Sequence, residues 1–424
     1  MGGSSIQAGP EPFEEVGEPV LSAPAKSPYR WVILTLCFIV MTTSFTVRIA
    51  WSNAATKVGS DLGLDPTMLG SFVTAFFVGY VITNAIGGFA ADRFGAKRMV
   101  TWSLLPLAAC VAGFGLMRDY PVGLLIQLAM GLSAGIDYAA TTKLAAAWFP
   151  SEERGRCFGV LSAASSTALI FCNALFPRFI EATSWHTLYY CLGGGTLVIA
   201  VLCAVTLREA PVQAGATAVR TSEPVMTTIR SLVRDRDYMF LAFAGFGALW
   251  ATWGVTFWGN ALMVKGHGLS NIAAGEITTL LGIGGLIAKP TYGFLSDLIA
   301  VRRKLMLMPC FLLFALMLLV FGSASTEAEF RLLAPFLGVF AFIYGPLTNA
   351  LLTDIIGTRD VGAASGLMNA FGQAGTIIAP VAIGYVFQVT HSFLGAFATL
   401  ALGPLLAAVC IMLINEAPRR ARRA

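Results

Sequence analysis

Long apolar stretches separated by short polar breaks are the dominant pattern along the chain. A helix needs about 20 mostly apolar residues to cross a hydrocarbon layer, and twelve runs of that kind lie between polar or Gly/Pro breaks. They cover 30–57, 67–91, 99–117, 122–148, 157–181 and 187–207, then 237–264, 272–298, 304–323, 331–354, 362–388 and 393–414. The longest interior polar segment, 208–236, divides them six and six and reads as a linker. Residues 1–29, rich in Pro, Gly, Ser and Glu, read as a disordered tail, and 415–424 as a short basic one. The pattern predicts an all-α membrane protein built from two pseudo-symmetric six-helix bundles, 30–207 and 237–414.

Composition agrees with that pattern. Of 424 residues, 56% are hydrophobic and 12% charged, and the mean hydropathy is +0.74. A soluble domain carries roughly 25% charged residues and would aggregate with so much apolar surface. A secreted disulfide scaffold, a nucleic-acid-binding domain and a cytosolic enzyme are therefore set aside. The eight cysteines sit in or beside apolar runs without CxxC spacing and read as small buried hydrophobes. His186, His267 and His391 fall in polar connections, so neither a metal site nor another cofactor is expected.

The basic residues orient the chain. Of 28 Lys and Arg, five lie in one set of connections (Lys57, Arg118, Arg178, Lys265 and Arg331) and three within the runs. The other 20 fall on the side of both termini, which is therefore predicted to be cytoplasmic. Absence of any Asn-x-Ser/Thr sequon and of large outer loops suits a bacterial inner membrane.

The two halves share anchors. Gly88, Asp92, Lys97 and Arg98 close the second run, and Gly293, Asp297, Arg302 and Arg303 close the eighth at an offset of 205. Glu153, Gly155 and Gly159 map onto Asp360, Gly362 and Gly366 at an offset of 207. This indicates a duplicated six-helix unit, and internal repeats with a site between them are a transporter signature.

The stretch Gly88-Phe-Ala-Ala-Asp92-Arg93-Phe-Gly95-Ala-Lys97-Arg98 resembles the signature between helices two and three of the major facilitator superfamily. The resemblance extends over about 30–414 and implies a transporter whose halves rock around a midplane site. Gly88 permits close helix approach, Asp92 can accept from a neighbouring helix N-terminus, and Arg93 can pair with a carboxylate at the cytoplasmic mouth. These residues, with Gly95, Lys97, Arg98, Glu153, Arg154, Gly293 and Asp297, form a candidate latch favouring the outward-open state. In the second copy Leu298 replaces the arginine, so that latch is weaker or differently paired.

Trp148-Phe-Pro-Ser-Glu-Glu153-Arg154-Gly-Arg and Val47-Arg48-Ile-Ala-Trp-Ser52-Asn53 resemble the organic anion:cation symporter branch, where a first-helix arginine lines the cavity. Val47 stands where that branch usually has Asp, and its fourth-helix glutamate aligns near Ala134, one turn before Asp137. The Gly-Pro signature of drug–proton antiporters is absent from 157–181.

A charge at membrane depth costs roughly 2.5–3.5 kcal/mol even on the lenient insertion scale, so such residues need a partner, water or a function. Four stand out: Arg48, Asp137, Lys143 and Lys289. Helical rise places Arg48 about 26 Å from Trp31 and Asp137 about 20 Å from Pro150, at similar depth from the cytoplasmic ends. An Arg48–Asp137 pair is expected, either as a structural ion pair or as an anion clamp beside a protonation switch. Lys143 and Lys289 lie roughly 10 and 13 Å from their helix ends, where each could snorkel or face the cavity. Trp250, Trp253 and Phe257 follow the spacing of one helix face, as core packing or as a cavity wall. Tyr80, Asn84, Thr141, Asn349, Asn369 and Gln373 could add hydrogen bonds to a cargo or between helices.

Arg48, Lys289, Trp253, Phe257, Tyr80 and Asn349 are the candidate substrate residues, Asp137 the proton-coupling residue and Lys143 an additional intramembrane charge. The four intramembrane charges sum to a positive balance, which favours an anionic cargo. The expected function is alternating-access uptake of a small organic anion, a carboxylate, coupled to H⁺ and carried out by a monomer in the bilayer. Rivals are an exporter or exchanger of the same fold, including organophosphate or drug-like cargo, and a transport-inactive sensor or scaffold. No Walker motif is present to use ATP directly.

Overall fold

The computed structural model describes residues 27–149, 153–209, 225–298, 303–356 and 361–415. Among them are six long helices before the linker: α1 (Tyr29–Leu62), α2 (Pro66–Phe94), α3 (Ala96–Phe114), α4 (Tyr120–Trp148), α5 (Arg154–Ala182) and α6 (Trp185–Thr206). A ten-residue helix α7 (Val225–Arg234) follows. Six more are α8 (Arg236–His267), α9 (Asn271–Leu298), α10 (Arg303–Ser323), α11 (Glu327–Ile356), α12 (Val361–Thr390) and α13 (Phe393–Leu413). Eleven of these are long and apolar enough to cross a membrane; the long helix outside that set is α3, which opens with Lys97 and Arg98. The tail 1–26 and the segments 210–224 and 416–424 lie outside the described residues.

The helix ends follow local chemistry. Asp65, Asp119, Ser184, Asp235 and Ser392 each accept a backbone N–H at the start of α2, α4, α6, α8 and α13. Proline in the first turn of α2 and α4 removes a donor that would be orphaned there. Gly63 and Gly268 end α1 and α8 at φ of 63° and 66°, a conformation glycine adopts without a Cβ penalty. Within the predicted linker, residues 225–234 are helical. Its Leu232 is buried beside Tyr238 and Leu241 of α8.

Packing repeats between the halves. In the first, α2 packs on α4, α3 on α4 and α6, and α1 on α5; in the second, α9 packs on α11, α10 on α11 and α13, and α8 on α12. Glycine sets the closest of these approaches. A methyl group on Gly131 of α4 would overlap the Phe76 carbonyl of α2, and one on Gly338 of α11 would overlap the Leu281 carbonyl of α9. Gly131→Val is therefore expected to cost about 3 kcal/mol through overpacking against backbone. Gly194→Val, whose added carbon meets nothing within 4 Å, should be silent by comparison. Thermal midpoints of the two purified variants check this contrast.

The halves meet along three seams, α1 with α8, α2 with α12, and α5 with α9. Most hydrogen bonds across them lie toward the face opposite the termini, the Lys289 ammonium of α9 reaching Ser165 and Ser166 of α5 nearer the terminal face. Thr67 Oγ1 of α2 meets Gln388 Oε1 of α12 at 2.5 Å, and Thr56 Oγ1 of α1 meets Asn271 Oδ1 at 2.8 Å. Thr74 Oγ1 donates to the Ile377 carbonyl at 2.6 Å, and Ser52 Oγ to the Thr256 carbonyl at 3.0 Å.

Candidate functional site

Arg48 lies just past the middle of α1 and is only 6% exposed. Its guanidinium rests on ring faces, 4.2 Å from the Tyr80 centroid, 4.9 Å from Phe45 and 5.8 Å from Phe76. Desolvated cation–π contacts contribute about 2 kcal/mol, enough to hold the group but not to satisfy its donors. Its Nε is buried without a hydrogen-bond partner among the described residues. Leaving a buried charged donor unpaired costs more than the contact returns, so the position calls for an acceptor.

That acceptor is not Asp137, and the expected ion pair does not form. Asp137 of α4 is 1% exposed and accepts from Ser44 Oγ at 2.6 Å and from Thr141 Oγ1 at 3.4 Å. Ser44 stands one turn before Arg48 on α1. Its hydroxyl takes the place at the carboxylate, while the guanidinium is drawn to the π faces beyond. Thr141 thus serves Asp137 rather than a cargo. A polar stripe of Ser44, Arg48 and Ser52 at four-residue spacing was the available signal for this arrangement.

An aromatic stack crosses between the halves beside Arg48. Trp253 of α8 stacks on Phe45 of α1 at 6.2 Å and 9°, and on Phe257 at 5.4 Å and 15°. Phe77 of α2 packs on Phe257 at 5.5 Å. Trp250, expected on the same face, instead turns to α13, where its Nε1 donates to the Thr399 carbonyl at 3.0 Å. Tyr80 is buried beneath the guanidinium.

Further polar atoms are left unpaired on both sides. Asn84 Nδ2 of α2 and, on α12, Gln373 Oε1 and Thr376 Oγ1 are buried without partners among the described residues. The Thr74–Ile377 hydrogen bond sets the register of these two antiparallel helices. Three to four residues along, it brings Gln373 level with Phe77 and Val78. Thr376 carries no charge or aromatic ring, and sequence reasoning passed over it. Asn349 of α11 and Asn369 of α12 are exposed on their helices.

Lys289 of α9, expected either to snorkel or to face a cavity, is instead bonded across the seam. Its ammonium crosses to α5, donating to Ser165 Oγ and Ser166 Oγ at 2.9 Å each and to the Ser162 carbonyl at 3.4 Å. The Phe342 ring of α11 lies 4.8 Å from it. Lys143 is half-buried on α4.

At the face of the termini, Glu153 pairs with Arg30 of α1 at 2.9 Å. Gly95 has φ of 90°, and the adjoining Lys97 N–H donates to Glu209 Oε1 at 2.8 Å. Arg93 and Arg98 are exposed, the former 5.7 Å from the Phe94 ring. The side-chain surroundings of Gly88, Asp92, Arg154, Gly293 and Asp297 lie outside the described ones.

Comparison with known proteins accounts for this architecture. The model of the Major Facilitator Superfamily matches residues 36–275 and 256–424. The chain belongs to the Major Facilitator Superfamily. It is thus an integral, multi-pass membrane protein of a transporter family rather than an enzyme. The "Hexuronate transporter" of Bacillus subtilis (strain 168) is 27% identical over 383 residues, 86% of this chain and 90% of its own length. The "Probable galactarate/D-glucarate transporter GarP" of Escherichia coli (strain K12) is 24% identical over 421 residues, 91% of this chain and 94% of its own. A bacterial homologue of the human lysosomal transporter Spinster, solved in an inward-facing and unoccupied conformation, shares the superfamily fold. Its TM-score is 0.73 at 13% identity, covering 92% of this chain and 96% of that one.

Proposed function

We propose that the chain is a secondary active transporter that takes up a small organic anion, a carboxylate, by alternating access coupled to H⁺. The observation carrying this reading is the buried Arg48 guanidinium, held on aromatic faces of α1 and α2 and without an ion pair among the described residues. A carboxylate binding there accepts the unpaired Nε hydrogen bond and neutralises the charge in one step. Trp253, Phe257 and Tyr80 contact the cargo's carbon skeleton, and Asn84, Gln373 and Thr376 meet its polar groups. Lys289 adds positive charge from the second half, Lys143 adds to the field on the cytoplasmic side, and Asn349 contributes a hydrogen bond as α11 closes on the site. The names of the relatives support the class, since hexuronate, galactarate and glucarate are small carboxylates.

Asp137 is the proton site in this reading. Protonation removes the negative charge that is bonded to Ser44, one helical turn before Arg48, and favours entry of the anion, which gives symport. Both termini lie in the cytoplasm of a bacterial inner membrane, and the protein works as a monomer. The latch at the terminal face comprises the Gly88–Arg98 loop with Glu153, Arg154, Gly293 and Asp297. The test is uptake into proteoliposomes under an inward proton gradient, with hexuronate, galactarate, glucose and a sugar phosphate compared. Accumulation of a carboxylate, but not of glucose, is the expected result. Substrate-driven exchange without any pH requirement identifies an exchanger instead, and no flux of any compound defeats the transport reading.

A further inference from the structure

Three buried asparagines join the halves at the face opposite the termini, with a threonine of the second half bonded to one of them. Asn260 of α8 donates one amide hydrogen to Asn53 Oδ1 of α1 at 3.1 Å and the other to Asn173 Oδ1 of α5 at 2.7 Å. Its own oxygen accepts from Thr278 Oγ1 of α9. Asn53 and Asn173 in turn donate to carbonyls of their own helices, Ile49 at 3.4 Å and Leu169 at 2.8 Å. None of the four is more than 5% exposed. Every hydrogen of the Asn260 amide is thus spent across the seam, one on each of two helices of the opposite half. Only an amide supplies two donors and an acceptor from one planar group of this size.

We infer that Asn260 is the clamp of the outer gate, a neutral device that holds the transporter closed on the face opposite its termini. The inference rests on the alternating-access reading above and adds the residues that do the closing. An ion pair at the rim, Arg178 of α5 with Glu276 of α9, also crosses between the halves. Arg178 is 48% exposed there, and solvated pairs of this kind contribute little. The buried amide bonds have no water to replace them until the seam itself parts, so the clamp outweighs the rim pair. Its position ties gate to site. Asn260 lies one turn beyond Phe257 on α8, and Asn53 lies five residues beyond Arg48 on α1. Opening the clamp moves the two helices that carry the guanidinium and the aromatic stack.

The test reads gate closure at a different seam. Thr67→Cys and Gln388→Cys place a thiol pair where α2 meets α12, with exposed Cys191 changed to serine, and a short bis-thiol reagent reports how often that contact is made. Asn260→Asp keeps the shape and the Thr278 bond but loses the donors. At about 0.6 kcal/mol per interhelical bond, losing two should slow cross-linking about fivefold or more. Thr278→Val removes a bond within one half and should leave the rate unchanged. If Asn260→Asp does not fold, Asn53→Ala and Asn173→Ala each remove one acceptor and should slow the reaction about twofold to threefold. Parent-rate cross-linking in folded Asn260 and Asn53 variants overturns the clamp, as does equal slowing by Thr278→Val. No cargo enters this measurement. A chain that moves no anion yet cross-links in an Asn260-dependent way loses the transport reading and keeps the gate.

Discussion

Arg48→Ala is expected to abolish saturable uptake of carboxylates while leaving a folded, monodisperse protein. The side chain sits on the Tyr80, Phe45 and Phe76 rings and makes no ion pair among the described residues, and the Asp137 carboxylate keeps its Ser44 hydrogen bond when it is removed. What is lost is the charge-assisted contact to the cargo. Hydrogen bonds to a charged group contribute about 1.5–3 kcal/mol each, so losing a two-point clamp of about 3 kcal/mol weakens binding roughly a hundredfold. Arg48→Lys keeps the charge and loses the fork, and should fall between wild type and alanine. Equilibrium binding of radiolabelled galactarate to the three purified proteins checks the order. Wild-type affinity in Arg48→Ala would return Arg48 to a packing role.

The second large effect concerns coupling. Asp137→Asn preserves the shape of the group, and its amide oxygen can still accept from Ser44, while an NH2 replaces the oxygen that Thr141 reaches at 3.4 Å. It cannot take up and release a proton. Exchange of internal for external carboxylate should therefore persist, while accumulation driven by an inward proton gradient disappears. In wild type, uptake should rise as the outside pH falls, because each anion enters with a proton bound from that side. The same proteoliposomes measure both modes. Gradient-driven accumulation by Asp137→Asn at the wild-type level would move the proton site to another group.

Much of the fold was legible because a bilayer demands long apolar runs, and twelve such runs correspond to twelve long helices among the described residues. Helix α7 was not legible, since its ten residues carry Arg230 and Arg234 and only Leu232 is shown turning inward. At the site, Arg48, Asp137 and Lys289 announced themselves as charges inside apolar helices. Their partners did not. Rise per residue gives depth but not the direction a side chain faces, and the same arithmetic puts Ser44, like Asp137, about 20 Å from the terminal end. Serine at 44 matched Asp137 in depth better than arginine at 48 did. Ser165 and Ser166 lie more than 120 positions from Lys289, and Asn53 lies 207 from Asn260. Each is an ordinary small polar residue of a membrane helix, with nothing in its local sequence to mark the partner. Thr376 was missed for the same reason.

The most direct measurement of the central claim is a thermal-shift comparison of wild type and Arg48→Ala with small carboxylates, phosphate and neutral sugars at two pH values. A ligand at about 100 times its Kd stabilises the folded state by about 2.7 kcal/mol, a readable shift. The account predicts that galactarate or a hexuronate raises the wild-type midpoint, that glucose does not, and that Arg48→Ala responds to neither. Equal stabilisation of Arg48→Ala by the carboxylate, or stabilisation of wild type by neutral sugars alone, would contradict it.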